Sequence, residues 1–331
     1  MILAGIDGGA TRTRAALASD DGTIVGFGEA GPSNYDNVGV ETARENMRAA
    51  VREAWKAVGR PVRPCDGAFL GMAGVVSEQD RETILTIARD IGLAPVRNIE
   101  VDHDLRVALA GGLAGSEGLV LIVGTGSSCY GRRANGKHHR TGWGYLLDDL
   151  GSGYFLGLQA MIAVIRAADG RGIPTTLSAR IRQELKYSHI DEIMRILYHD
   201  SHGVTNVAAL APVVLEEAKN GDEAAMSIIE RGAEELSLMV ATVAKKLDFA
   251  PDAPLVIVGG VAEQSAFYRT KIESAIARRV PQCRIQQPQL PPILGAVLLA
   301  LEGSGHGREV ILGKLREYSR LNTKSYWLGN K

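Results

Sequence analysis

The chain has little from which to build a disulfide core, a soft-metal site or a membrane span. Its three cysteines, Cys65, Cys129 and Cys283, are odd in number, far apart and never in a Cys-x-x-Cys pair. This excludes a disulfide framework, a zinc ribbon and an ordinary iron–sulfur ligand set within one chain. No His-Glu-x-x-His occurs among the seven histidines, and no Cys-Gly-x-x-Gly-Cys motif is present. The apolar runs at 119–123 and 293–301 are far too short to cross a bilayer. The start, Met1-Ile-Leu-Ala-Gly-Ile-Asp7, lacks a basic region, so no signal peptide is expected and a cytoplasmic protein is the default. An excess of charge of one sign is also missing. Lys and Arg total 37 against 38 Asp and Glu, a net charge of −1. No electrostatic footprint therefore favours nucleic acid or an acidic membrane, and any bound anion must be held by local geometry.

What is present is an average globular composition, 45% apolar and 23% charged, over 331 residues. That length suggests two domains and the composition excludes disorder, coiled coil and collagen. Residues 2–29 read as three short strands, 2–6, 13–18 and 23–27, with an Asp20-Asp21-Gly22 turn. A helix follows, because Ala43, Met47, Ala50, Val51, Ala54, Trp55 and Val58 recur at three- and four-residue spacing. Next come a strand at 67–70, a helix opened by Ser77 with Asp80 as capping-box partner, a strand at 98–101 and a helix from Asp104 to about Leu113.

The opening theme then returns. A buried-type strand at 119–123, a glycine turn, a strand at 128–133 and an Asn135-Gly136 hairpin precede a third short strand ending before Gly142. Helices fill most of 151–248, and strands near 255–258 and 284–285 alternate with helices from about Glu263 and from Ile293. Two successive blocks of the same kind predict a duplicated α/β protein whose domains pack around a shared cleft. The expected lobes are 1–114 and 115–303, the second with a helical insert at about 151–250. A tail helix over about 304–331 is expected to pack on the first lobe.

Thirty-nine glycines gather in a few places. Asp7-Gly8-Gly9-Ala10-Thr11, Gly124-Thr125-Gly126-Ser127 and Gly259-Gly260 each follow a strand. Such turns let backbone N–H groups approach an anion, since glycine tolerates positive φ and carries no Cβ. None is a Walker loop, and none is the Gly-x-Gly-x-x-Gly of a Rossmann unit. Alone, each reads equally as a plain hairpin; one at the start of each repeat is harder to dismiss as an accident of turn chemistry.

The motif order resembles the sugar kinases of the actin–hexokinase superfamily, above all the N-acetylglucosamine kinase branch with its BadF/BadG/BcrA/BcrD ATPase relatives, over residues 4 to 300. The matching segments are Gly5-Ile6-Asp7-Gly8-Gly9-Ala10-Thr11-Arg12-Thr13, Gly124-Thr125-Gly126-Ser127-Ser128 and Gly142-Trp143-Gly144 through Asp149-Leu150-Gly151-Ser152. Pro254-Leu255-Val256-Ile257-Val258-Gly259-Gly260-Val261 looks like the adenosine motif, and Pro292-Ile293-Leu294-Gly295-Ala296 like the closing helix. The resemblance implies two ribonuclease H-like domains of actin/hexokinase type around an ATP cleft. It implies that Asp7 holds Mg²⁺ through water, and that Gly8, Gly9, Ala10 and Thr11 face the β/γ phosphates. Thr125 and Gly126 would cradle the same phosphates, while Gly260, Gln264 and, more loosely, Ala208 fall at nucleotide contacts.

A hydroxyl acceptor needs a general base. The resemblance puts Asp104 in that role, with Asp102 as competitor and helix capping as the alternative duty for Asp104. Strand alternation turns both carboxylates to one face, where like charges raise one pKa. The sugar would be met by Asn34, Asp104, Ser127, Ser128, Gly142, Trp143, Gly144 and Asp149, with paired hydrogen bonds discriminating its hydroxyls. Trp143 reads either as a stacking platform or as core. Ala10 departs from a usual glycine, Arg12 from a common lysine and His103 from Asn or Thr, and Leu150 replaces a usual acid. The implied activity is ATP-dependent phosphorylation of an amino sugar, at O6 of N-acetylglucosamine or glucosamine, by a cytoplasmic homodimer without nucleic-acid or membrane partners. Rival readings are a BadF-type ATPase that activates a reductase or dehydratase, and a non-catalytic sugar or nucleotide sensor.

Overall fold

A computed structural model describes residues 1–199, 203–249 and 252–322. From the N-terminus run β1 (Ile2–Gly8), β2 (Thr13–Ser19), β3 (Ile24–Ala30), α1 (Tyr35–Val38), α2 (Val40–Val58), β4 (Gly67–Met72), α3 (Glu78–Asp90), β5 (Ile99–His103) and α4 (Asp104–Gly112). The three-strand opening arises from two tight antiparallel connections. β4 and β5 then add parallel to β1, giving the order β3-β2-β1-β4-β5.

The apolar stripe read from the sequence is the buried face of α2: Ala43, Met47, Ala50, Val51, Ala54 and Trp55 pack on Ile6, Leu17 and Leu70. Burying a side chain the size of Met47 is worth about 1.5–3 kcal/mol. The helix can lie directly on β3 because that strand carries Gly26 and Gly28. A Cβ at either would stand 2.2 Å from a backbone oxygen of α2. Ser77 and Asp80 form the expected capping box at the start of α3, each bonding the other's backbone.

The second block follows as β6 (Gly118–Val123), β7 (Ser127–Arg132) and β8 (His138–Thr141), then α5 (Gly153–Ala168), α6 (Leu177–Leu185), α7 (Glu192–His199), α8 (Gly203–Ala208), α9 (Ala211–Lys219) and α10 (Glu223–Lys246). β9 (Ala253–Val258), α11 (Gly260–Gln264), α12 (Ala266–Arg279) and β10 (Cys283–Gln286) complete it. Its sheet, read as β8-β7-β6-β9-β10, repeats the first one strand for strand. The expected duplication is thus present in the topology. Leu119, Leu121, Phe155, Leu236, Val240 and Ile257 belong to its one large core. The helix expected from Glu263 starts earlier, at Gly260, and is interrupted at Ser265, whose side chain caps α12 by accepting from the Tyr268 N–H at 3.2 Å.

The chain then returns to the first block with α13 (Pro292–Ala300) and α14 (Arg308–Leu321). Two compact units result: Met1–Glu117 with Gln287 onward, and Gly118–Gln286. The re-entry at Gln287 differs from the lobe boundary expected near 303. α13 is buried along nearly its whole length, with Ile293, Leu294, Val297 and Leu298 against Leu3, Ala16 and Ala18. β1 accommodates it through Gly5, where a Cβ would sit 2.6 Å from the Val297 nitrogen. α14 packs on the same cluster through Ile311, Leu312 and Leu315. Residues 323–331 of the expected tail helix lie outside the described residues. No helix among the described residues is long and apolar enough to cross a membrane.

Candidate active site

In the first unit, the candidate residues gather at the carboxyl ends of the three parallel strands, where open α/β sheets generally bind ligands. Asp7, Gly71 and Asp102 stand in register across β1, β4 and β5, and Gly8, Met72 and His103 form the next row. Asp7 is half-buried. Burial pushes its carboxyl above the ordinary range, against the lowering pull of Arg14 and Arg12. The following turn closes through the Gly9 N–H to the Arg12 carbonyl at 2.9 Å and leaves Ala10 and Thr11 exposed. Ala10 is not among the positive-φ residues, so its Cβ is tolerated where a glycine is usual.

The same turn holds the loop bearing Asn34. The Gly9 carbonyl accepts from the Ser33 and Asn34 N–H groups at 3.1 and 3.3 Å. Asn34 caps α1 by accepting from the Asp36 N–H at 3.2 Å, and its Oδ1 lies 2.7 Å from where a Cβ on Gly74 would stand. Asp7, the turn at 8–11 and Asn34 are therefore one connected edge of this unit.

Asp104 is the first residue of α4 and half-buried. It is not the helix cap. His103 is, with Nδ1 accepting from the Arg106 N–H at 3.1 Å. A carboxylate at the first helical position sits in the favourable field of the helix N-terminus. Asp102 is otherwise engaged: it pairs with Arg81 Nη2 at 3.0 Å and accepts from the His103 N–H at 2.8 Å.

In the second unit, three separate stretches meet at Gly153. A Cβ there would stand 3.2 Å from the Gly124 carbonyl oxygen, 3.3 Å from Val261 Cγ2 and 3.4 Å from the Ala208 carbonyl oxygen. This brings together the turn at 124–126, the turn at 259–261 and the end of α8. The carbonyls of Gly124 and Thr125 accept from the Gly153 and Tyr154 N–H groups at 2.8 and 3.1 Å, tying the turn to the start of α5. Gly260 and Gln264 are exposed neighbours on α11, and Glu263 accepts from the Gly259 N–H at 3.0 Å. Gly259 has φ of 106° and leaves no room for a Cβ, which would stand 2.6 Å from the Val123 carbonyl.

Asp149 organises the rest. It adopts φ of 56°, an uncommon backbone state for a residue with a side chain, and is only 9% exposed. Its carboxylate accepts from the backbone N–H groups of Ser127 and Gly144. Burial nevertheless raises its pKa to about 6. Ser127 is 2% exposed and its hydroxyl donates to the Leu150 carbonyl at 3.0 Å, so that hydroxyl is committed to holding the turn. Leu150 itself packs on the core of this unit. Ser128 is half-buried beside Gly142, whose φ is 98°. Trp143 resolves toward the non-core reading: it is 63% exposed, with the Arg140 guanidinium 4.6 Å from its ring centre.

Sequence reasoning did not single out Gly153, Glu263 or Tyr268. Tyr268 donates from its buried hydroxyl to the Gly151 carbonyl at 2.8 Å, holding the turn after Asp149 from below. Only the Ser152-Gly153 pair, a cap followed by a glycine, hinted at the crowding around residue 153.

Two α/β units of one strand plan, each with a glycine turn at the carboxyl ends of its parallel strands, define a protein of the actin-like fold. The chain belongs to the BadF/BadG/BcrA/BcrD ATPase family, which it matches over residues 4–300. It is 31% identical over 312 residues to an N-acetyl-D-glucosamine kinase of Dictyostelium discoideum, covering 91% of this chain and 98% of the relative. It is 29% identical over 298 residues to an N-acetylmuramic acid/N-acetylglucosamine kinase of Clostridium acetobutylicum, covering 89% and 97%. Among solved structures, a candidate N-acetylglucosamine kinase of Chromobacterium violaceum shares the fold, with a TM-score of 0.75 at 24% identity over 90% of this chain and 98% of that one.

Proposed function

We propose that this protein transfers the γ-phosphoryl group of ATP to the 6-hydroxyl of an N-acetylated amino sugar, with Asp104 as general base. One observation carries the role of Asp104: the cap of α4 is made by His103, and the neighbouring carboxylate, Asp102, is held by Arg81. Asp104 thus opens α4 at the carboxyl end of β5, the same end of the sheet that carries Asp7. The acceptor is supported by two relatives whose names carry N-acetylglucosamine.

Asp104 takes the proton of the sugar hydroxyl as its oxygen bonds to the γ-phosphorus. The bond from that phosphorus to the bridging oxygen breaks, and ADP leaves with the electron pair. The turns at 8–11 and 124–126 supply backbone donors to the phosphates, so catalysis is chiefly positioning and charge stabilisation. Among the described residues no three His, Cys, Asp or Glu cluster as metal ligands. The donors at hand are the Asp7 carboxylate, the Thr11 hydroxyl and the turn amides, a set that suits a hard cation keeping its waters and leaning on phosphate. Bound Mg²⁺ would offset triphosphate charge, and a cation beside Asp7 would reverse the upward push on its carboxyl. Asn34, Ser128, the backbone of Gly142 and Gly144, Trp143 and Asp149 contact the sugar in this reading. Gly260, Gln264 and Ala208 contact the nucleoside.

An ATP-coupled assay across hexoses, hexosamines and N-acetylhexosamines tests the proposal. Turnover is expected with N-acetylglucosamine, and Asp104→Asn should lower kcat by about 10²- to 10⁴-fold. Near-full turnover by that variant overturns the base assignment. The protein is further proposed to be a homodimer, which light scattering on the purified protein checks. The reductase-activating reading would need a cysteine-held cluster, and Cys65 and Cys129 are buried, with no Cys-x-x-Cys pair in the sequence.

A further inference from the structure

We infer that Arg81, Asp102 and His103 form a positioning relay that fixes where α4 begins and so aims Asp104; this rests on the reading of Asp104 as the base. Asp104 is the first residue of α4, so the direction of its side chain follows from the point and angle at which β5 turns into helix.

Three links set that point. Arg81, one turn into α3, donates through Nη1 to the Val101 carbonyl and through Nη2 to Asp102 Oδ1 at 3.0 Å. The same Oδ1 accepts from the His103 N–H at 2.8 Å. The His103 ring then turns back over the helix, and Nδ1 accepts from the Arg106 N–H at 3.1 Å. To accept, Nδ1 must be free of its proton, which leaves the N–H on Nε2, 3.7 Å from Asp102 Oδ1. One carboxylate oxygen thus ties α3 to the last residue of β5.

The need for the relay comes from the topology. β5 is the edge strand of its sheet and pairs only with β4. Nothing in the ladder restrains its outer side, and Arg81 supplies that restraint from α3. An imidazole is also an unusual cap, since Ser, Thr, Asp and Asn are the common choices. The ring holds the Arg106 amide, and so the helix start, from the same residue whose N–H Asp102 grips. A shift of about 1 Å in a reacting group can cost on the order of 100-fold in rate. His103 and Arg81 are positioning residues in this scheme, acting through Asp104 and not on the substrate.

The test compares His103→Ala, His103→Asn, Arg81→Ala, Arg81→Lys and Asp104→Asn in the full chain, with steady-state kinetics and thermal melting. His103→Ala and Arg81→Ala should lower kcat by about 10- to 100-fold while leaving KM for ATP within about twofold. His103→Asn, which keeps an acceptor at the cap, should return kcat to within about threefold of the parent. Combined with Asp104→Asn, His103→Ala should add less than about a twofold further loss, because the relay has only that carboxylate to aim. Full kcat in His103→Ala, or a fully multiplicative loss in the double variant, overturns the relay. So does His103→Asn no better than His103→Ala. If His103→Ala melts too low to assay, Arg81→Lys, which loses the forked grip, should still be slow while His103→Asn is not; equal rates overturn the relay. Wild-type turnover by Asp104→Asn overturns the base reading and the relay together, whereas a dead Asp104→Asn beside a fully active His103→Ala overturns the relay alone.

Discussion

The carboxylate of Asp149 occupies the space where a side chain on Gly126 would begin: a Cβ at residue 126 would stand 2.5 Å from Asp149 Oδ2. The glycine turn at 124–126 and the acid of the proposed sugar loop are thus packed against each other. Gly126→Ala must displace one of them. Overpacking of this kind costs about 1–3 kcal/mol in stability. A comparable loss of transition-state binding is a drop of about 10- to 100-fold in kcat/KM for the sugar. Urea unfolding and steady-state kinetics on the one variant measure both, and parental values for both would exclude the contact.

Asp149 also predicts a pH dependence with a definite sign. Its carboxyl is raised from 3.8 to about 6 by burial, so the folded protein keeps a proton there that the unfolded chain has released. The resulting penalty is absent below about pH 4, grows as pH rises and is complete above about pH 6, where it reaches roughly 3 kcal/mol. Asp149→Asn should remove this decline from a series of unfolding curves between those two pH values. If the Asp149 carboxylate accepts sugar hydroxyls, KM for the sugar in the parent protein should climb as pH falls below about 6, where that carboxylate is lost.

Trp143 separates binding from folding. With 63% of its surface exposed, the side chain contributes little to the core. Trp143→Ala should leave the unfolding free energy within about 0.5 kcal/mol of the parent. If its face stacks on a sugar ring, KM for the sugar should rise by about 10-fold while KM for ATP stays put. A matching change in both constants would remove Trp143 from the sugar site.

Ser33 is a fourth case. Its hydroxyl is fully buried beside Met72 under Gly8 and has no hydrogen-bond partner. A buried unpaired hydroxyl costs about 1–3 kcal/mol. Ser33→Ala should raise stability by about 1 kcal/mol, read from the midpoint of urea unfolding, with kcat unchanged.

Much of this architecture was legible from residue order. The stripe from Ala43 to Trp55, the Ser77–Asp80 box and the repeated strand triplets are local patterns, and local patterns survive into the fold. The placement of α13 is not local. An almost wholly apolar helix such as Ile293–Leu299 shows only that it is buried, not which sheet buries it. The glycine turns were found for a reason that holds only in part. Gly259 does adopt positive φ, but Gly8 and Gly126 do not; they are glycines because Met72 and Asp149 fill the space of a Cβ. That crowding comes from partners many residues away in sequence. The cap of α4 was likewise open between readings, because histidine is an uncommon cap and the choice rests on which way its ring turns.

The two units differ in how the chain supplies them. The second is one unbroken stretch, Gly118–Gln286, whereas the first needs α13 and α14 from the far end of the chain to cover β1 and β2. During synthesis the ribosome therefore releases everything required for the later-numbered unit before it releases the last pieces of the earlier one. A nascent chain stalled soon after Gln286 should carry a finished second sheet beside a first sheet with one greasy face still bare. At that moment a chaperone would find its best purchase around Leu3, Ala16 and Ala18.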